Sequence, residues 1–416
     1  MTFWRFYSNV NSGYKLGVVE VMENLKYWVW LTAKKYMNPY KITTLLEHFN
    51  DITEIYEADV YDDMQDIGLK EKRELLNKSL DSAEVIIEKM NVIGGRIVTF
   101  DDPEYPPMLK EIQPPPYVLY MKGERINWEE QLPIGVIGAR ECTEYGVVAA
   151  RKLCYEMAST GVLIVSGMAR GLDSVAAISA LKAGGKTVAV LGCGLDIVYP
   201  PENGPLMDAI AKNGVVITEY PPTCPPRGSN FPQRNRIISG LSRGLLVIEA
   251  GRKSGTFSTV DYAKNYNRDI FAVPGGIFHD KSEGTNNMIK RGAHLITSVR
   301  DIFDHYPYEA SVMKRASGEK VDVKIEPVEK KKQEKPVKKV EEYKPKVNVT
   351  LDDERYRGLN EAEKRVIEVL LNKECHIDEL VRESKMEIKT LNSVLPVLEM
   401  MGHIQKMPGN YYRLGE

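Results

Sequence analysis

Cysteine is scarce in this 416-residue chain: Cys142, Cys154, Cys193, Cys224 and Cys375 are scattered, with no C-x-x-C pair among them. That spacing argues against a disulfide framework and against a cysteine zinc finger, and a reducing cytoplasm is the expected compartment. The six histidines are dispersed and H-E-x-x-H is missing, so no metal site is expected. No apolar run reaches the length of about 18 residues that a membrane span needs. The start lacks the basic residues and small-residue cleavage site of a signal peptide. G-x-x-x-x-G-K-[ST] is absent, which excludes a P-loop NTPase, and G-x-S-x-G is absent, which removes the hydrolase elbow.

What is present is ordinary in bulk and uneven in detail. Hydrophobic residues make up 43% and charged residues 27%, as in a folded protein of two or three domains. The net charge of −2 conceals a division. Residues 1–132 hold 15 basic and 22 acidic side chains, a net of −7, whereas residues 133–305 hold 19 and 15, a net of +4. A polyanion is therefore expected on the middle segment.

The pattern of apolar residues divides the chain in the same places. Residues 24–90 carry helical spacing, as at Ile42, Leu45, Leu46 and Phe49, with turns at Asn38-Pro39 and Ile67-Gly68. Met22 opens a cleaner segment than the residues before it and is a candidate start. Residues 95–125 are proline-rich and read as an ordered connector, so 24–125 is expected to form a small helical domain with that connector. Over 133–305, apolar runs recur about every 25 residues: 134–138, 162–166, 187–191, 215–219, 245–249, 270–273 and 294–297. These runs are continuous, not alternating, as in strands covered on both faces. A doubly wound α/β fold with a parallel sheet of about seven strands is expected. Residues 306–356 mix charge with proline and read as a disordered linker. Beyond it, Asn360-x-x-Glu363 resembles a capping box, helices follow near 377–384 and 387–401, and a hairpin closes around Pro408-Gly409-Asn410. Residues 357–416 thus read as a winged helix.

In open parallel sheets ligands gather beyond the carboxyl ends of the strands. Those positions here hold Gly138-Ala139-Arg140, then Ser166-Gly167-Met168-Ala169-Arg170-Gly171-Leu172-Asp173, then Gly192-Cys193-Gly194. The last begins like a dinucleotide fingerprint but has Ile197 where the third glycine belongs, so a dinucleotide oxidoreductase is disfavoured. Phe231-Pro232-Gln233-Arg234-Asn235-Arg236 sets two arginines and an aromatic ring before a helix, suited to phosphate and to base stacking. Lys253-Ser254-Gly255-Thr256 offers an anion seat at a helix start, and Gly275-Gly276 and Asn286 follow. Each glycine turn alone would be a tight connection, and Asp173, Asp196 and Glu249 read first as caps or structural carboxylates. The number of Gly-plus-basic strand ends on one edge points to an anionic ligand.

Taken together, VIGAR-x-x-T-x-Y-G (136–146), SGMARGLD (166–173), GCGLDIVYP-x-x-N (192–203), FPQRNRIISGLS (231–242), SGTFST-x-x-A (254–263), FAVPGG (271–276) and GTNNMIKRGA (284–293) closely resemble the bacterial DNA-processing protein A family (DprA, also called Smf). The resemblance implies an extended Rossmann-like domain that binds single-stranded DNA, forms homodimers and loads the recombinase RecA during natural transformation, without catalysis, metal or cofactor. It implies phosphate contacts from Arg140, Arg234 and Arg236, and backbone contacts from Ser254, Gly255 and Thr256 with Lys253 nearby. Pro200-Pro201 stands where some relatives place a lysine after Tyr-Pro, and Arg170 is the expected replacement. Ser166, Gly167, Phe231, Asn235, Gly275, Gly276 and Asn286 complete the expected DNA-binding set. The winged-helix segment carries Lys389 as the only basic residue of its second long helix, so a protein contact is expected there instead of groove reading. The rival is a nucleotide phosphoribohydrolase of Rossmann-like fold, which lacks its glutamate here because Thr259 occupies that position.

Overall fold

The computed structural model describes residues 16–61, 64–252, 254–307, 309, 354–407 and 411–415. The chain forms two compact units, and nearly all of the expected linker falls outside the described residues. At its two ends the linker gives way to packed structure: Tyr306 is buried in the first unit and Tyr356 in the second.

Among the described residues the first unit opens with five helices: α1 (Leu16–Ala33), α2 (Pro39–His48), α3 (Ile52–Glu57), α4 (Leu69–Leu76) and α5 (Asp81–Val92). The turn signals act as helix starts. Asn38 caps α2 through a bond from the Lys41 amide with Pro39 in the first turn, Asp51 caps α3, and Gly68 precedes α4. Trp28, Trp30 and Leu31 fill the centre of this cap.

Residues 95–125 depart from the expected connector. They contain β1 (Arg96–Thr99) and β2 (Val118–Gly123), joined through the short helix α6 (Pro107–Lys110). The prolines lie between the strands, where no ladder hydrogen bond is needed. β1 pairs antiparallel with β2, and β2 antiparallel with β6 (Val215–Thr218), so the sheet has nine strands where about seven were expected.

The expected parallel strands follow as β3 (Pro133–Ile137), β4 (Leu163–Ser166), β5 (Thr187–Val190), β6, β7 (Gly244–Val247), β8 (Asp269–Ala272) and β9 (His294–Leu295). The sheet order is β1-β2-β6-β5-β4-β3-β7-β8-β9. The chain runs outward from β3 to β6 and then crosses back to β7, so the winding changes direction beside β3. Every residue of β3, β4, β5, β6 and β7 is buried, as their unbroken apolar runs require. The linking helices are α7 (Glu144–Ser159), α8 (Leu172–Lys182), α9 (Gly204–Asn213), α10 (Asn230–Leu241), α11 (Thr256–Asn265), α12 (Glu283–Lys290) and α13 (Val299–His305).

The helical cap and the sheet share a hydrophobic core. Trp28, Leu31 and Leu45 belong to the same cluster as Tyr117, Tyr120, Leu181, Leu206 and Val216. Trp28 stacks on Tyr117 with ring centroids 5.6 Å apart, and its indole N–H donates to Asp101 at 3.0 Å.

The second unit has its own core, built on Tyr356, Val366, Leu370, Leu391, Leu395 and Leu398. Its helices are α14 (Glu361–Asn372), α15 (Ile377–Ser384) and α16 (Ile388–Met400), and its sheet is ordered β10-β12-β11 from β10 (Cys375–His376), β11 (Ile404–Met407) and β12 (Tyr411–Leu414). The capping box forms: the Asn360 side chain accepts from the Glu363 amide at 3.0 Å, and Glu363 accepts from the Asn360 amide at 2.9 Å.

The shared core makes a specific demand on stability. Trp28→Ala removes a large buried ring and is expected to cost about 3–5 kcal/mol. Calorimetry should show the cap and the sheet unfolding in one lowered transition. A separate low-temperature melt of the cap, with the main transition unmoved, would contradict the shared core.

Candidate functional site

At the carboxyl edge of the sheet, the loops after β3, β4 and β5 meet the first turn of α10 around a small cleft. Arg140, Gly167, Ala169, Arg170, Leu191, Gly192, Cys193, Tyr199, Pro200, Phe231 and Arg234 line it. The cleft encloses about 30 Å³. Small-molecule pockets usually span about 300–1,000 Å³. The cleft is thus too small to enclose a whole small-molecule ligand.

Arg234 forms the floor. It is buried, and its guanidinium donates to the carbonyl of Gly167 at 2.7 Å and to that of Val190, tying the end of β4 to the end of β5. Burial draws its pKa down, while Asp173 favours its charge. Burial pushes the Asp173 carboxyl up, and Arg234 pulls it the other way. Asp173 also accepts from the Ala169 amide at 3.3 Å. Gly167 lies between the pair: a Cβ there would fall 2.6 Å from the Arg234 guanidinium and 2.7 Å from the Asp173 carboxylate.

Phe231 forms one wall. Its ring centroid lies 5.7 Å from the Arg140 guanidinium, 6.0 Å from that of Arg234 and 5.3 Å from the Tyr199 ring. Both arginines are within cation–π reach. A Cβ on Gly192 would come within 3.0 Å of the Phe231 ring, so the first glycine of the incomplete dinucleotide fingerprint makes room for the aromatic ring.

Arg140 is exposed and forms no ion pair among the described residues, which leaves its donors available. Its loop is fixed from below by Glu249, buried at the end of β7, which accepts from the Thr143 amide at 3.0 Å and from the Thr143 hydroxyl. Arg170 is also exposed but is held by both oxygens of Glu202, the second contact at 3.1 Å. Hydrogen bonding to Arg170 lowers the Glu202 pKa, so the carboxylate stays charged.

Of the expected set, Arg140, Gly167, Arg170, Phe231 and Arg234 converge on this cleft. Others have interior partners. Arg236 is buried and paired with Glu219. The Ser166 hydroxyl donates to the Val136 carbonyl at 2.8 Å inside the sheet. Asn286 exchanges hydrogen bonds with the Gly275 backbone at 3.2 and 3.0 Å. Asn235 donates to Ser258 at 2.9 Å, which ties α10 to α11. Ser254, Gly255 and Thr256 begin α11 beyond β7, where the Ser254 hydroxyl bonds the Thr256 hydroxyl at 2.7 Å and accepts from its amide at 3.2 Å. Gly275 and Gly276 follow β8 on the same edge. Lys253 lies outside the described residues. The sequence reading missed Tyr199 and Gly192 as parts of the site, although an aromatic ring after the Gly-Cys-Gly turn was visible. Asp173 and Glu249 are structural carboxylates, and Asp196 accepts from the Thr223 amide at 2.8 Å.

Comparison with known proteins agrees with this architecture. The family model described as DNA recombination-mediator protein A matches residues 96–307, and that of the DprA winged helix domain matches 353–410. Protein Smf of Synechocystis is 36% identical over 283 residues, covering 66% of this chain and 71% of the relative. DNA processing protein DprA of Bacillus subtilis is 38% identical over 214 residues, covering 51% and 72%. The X-ray structure of DprA from Streptococcus pneumoniae superimposes with a TM-score of 0.58 at 32% identity, covering 67% of this chain and 97% of that one.

The wedge of Gly167 between Arg234 and Asp173 can be tested directly. Gly167→Ala is expected to lose about 1–3 kcal/mol in urea unfolding through overpacking. Gly228→Ala, where a Cβ meets nothing within 4 Å, should change stability by less than about 0.5 kcal/mol. Equal effects at the two positions would remove the wedge.

Proposed function

The chain belongs to the DNA recombination-mediator protein A family, and from that premise we propose that it binds single-stranded DNA along the carboxyl edge of its sheet and delivers it to a RecA-type recombinase. The observation that carries the reading is Arg140, an exposed and unpaired cation held 5.7 Å from a half-buried aromatic ring over a rigid floor. The guanidinium takes a phosphate oxygen, and Phe231 with Tyr199 offers a face to an unstacked base. Such stacking favours single strands, because the bases of a duplex already stack on each other. It is tolerant of sequence, because every base has a π face. Arg234 contributes positive potential from beneath and holds the loop carbonyls in place. It acts through position as well as charge.

The strand would continue past the start of α11 and the loop after β8. At Ser254 it must displace hydrogen bonds that the turn makes with itself. A homodimer would present two such edges. No step here needs a catalytic group. Thr259, at the position of the phosphoribohydrolase glutamate, is buried, and burial pushes the thiol of Cys193 in the cleft up to about 11. The winged helix fits a protein contact: exposed Met400 and Met401 flank the end of α16, and Lys389 is the one basic residue in that helix.

A salt series on a fluorescent oligothymidine tests the site. Arg140→Ala should weaken binding and reduce the slope of log affinity against log salt by about 0.7, one phosphate contact. Glu202→Gln should act in the opposite sense, releasing Arg170 and steepening the slope by about the same amount. Binding untouched by Arg140→Ala, or equal binding to duplex, overturns the reading. Deleting 357–416 should leave oligothymidine affinity within about twofold, since the second unit has its own core and few groove-facing cations. A large loss would reassign the winged helix to DNA.

A further inference from the structure

The six histidines are dispersed in sequence, yet the fold brings two of them together. His294 opens β9 and His305 ends α13, and their rings stand 4.3 Å apart. Asp269 opens β8. The nitrogen and oxygen ligand atoms of Asp269, His294 and His305 all lie within 4.8 Å of one another.

The placement follows from sheet geometry. His294 is the parallel partner of Phe271, and Asp269 lies two residues before Phe271, so all three project to one face. α13 packs on that face through Val299, Ile302 and Tyr306, which share a core cluster with Phe271. The helix end thereby sets His305 over the two strand starts. The Phe271 ring backs both imidazoles, at 5.4 Å from His294 and 5.3 Å from His305. The carboxylate is oriented: Tyr306 donates its hydroxyl to Asp269 Oδ2 at 2.7 Å.

We propose that Asp269, His294 and His305 form a binding site for a divalent transition cation of the Zn2+ class. Two imidazoles and a carboxylate suit such a metal. The 3.3 Å between His305 Nε2 and Asp269 Oδ2 is close to the ligand–ligand edge of a tetrahedron with metal–ligand bonds of about 2.0–2.1 Å. His294 is exposed, and its ligand nitrogen lies within 4.8 Å of the other two ligand atoms. A fourth position remains for water. Tyr306 is a positioning residue that holds the carboxylate. The site lies at the amino ends of β8 and β9, opposite the loop edge that carries Arg140, and would clip α13 to the edge of the sheet.

The test uses the full-length protein after chelator treatment, titrated with Co2+ and followed by visible absorption, with Zn2+ as competitor. One Co2+ per chain, displaced by Zn2+, is the expected result. His294→Gln should weaken binding by at least about tenfold, and Tyr306→Phe by about 10–100-fold. Zn2+ should raise the unfolding temperature of the wild type and not of His294→Gln. Absence of a Co2+ spectrum, millimolar affinity, or equal affinity in His294→Gln overturns the proposal. Oligothymidine binding should be the same in His294→Gln and wild type, so failure of the metal site is distinguishable from failure of the DNA reading.

Discussion

A buried guanidinium organises the functional edge of this protein. Arg234 enters from α10, passes beside Gly167, where a Cβ would crowd it, and ties carbonyls from two neighbouring strand ends while Asp173 balances its charge. A buried cation is tolerable only when its donors are matched, and removing one partner of such a pair costs far more than the pair contributes. The cleft therefore has little freedom to relax. Arg140, by contrast, is free to meet a ligand. Two of the three arginines that line the cleft thus divide the work: Arg234 fixes the shape, and Arg140 offers charge to solvent.

Much of the fold was legible because parallel strands covered on both faces must be continuously apolar. The seven runs from 134 to 297 became strands, and the turn signals at Asn38-Pro39 and Ile67-Gly68 and the capping box at Asn360 became helix starts. The failures were local. Proline density hid β1 and β2, because the ladder tolerates proline only between strands and the strands themselves are short. The helical segment read as a separate domain because period and charge change near residue 130. The packing does not follow that change, and Trp28 shares a cluster with Val216.

The site was legible as an edge and less so as a list of contacts. Sequence shows which residue types end each strand, but burial decides whether a side chain faces the ligand or the interior. Arg234 and Arg236 are two residues apart on one helix and both are buried, one under the cleft and the other against Glu219. Spacing alone cannot separate them, since a turn of helix aims them at different elements. His294 and His305 were invisible for the reverse reason: an edge strand and a short helix separate them in sequence, and only the register of β9 on β8 returns them to one face.

The shared core between cap and sheet also bears on how the chain can be divided. The matched family region begins at residue 96, inside the first unit. A fragment cut there would keep all nine strands of the sheet but lose the five helices that cover Tyr117 and Tyr120. Its newly bared aromatic surface would favour self-association. The cap thus keeps that sheet face out of solvent.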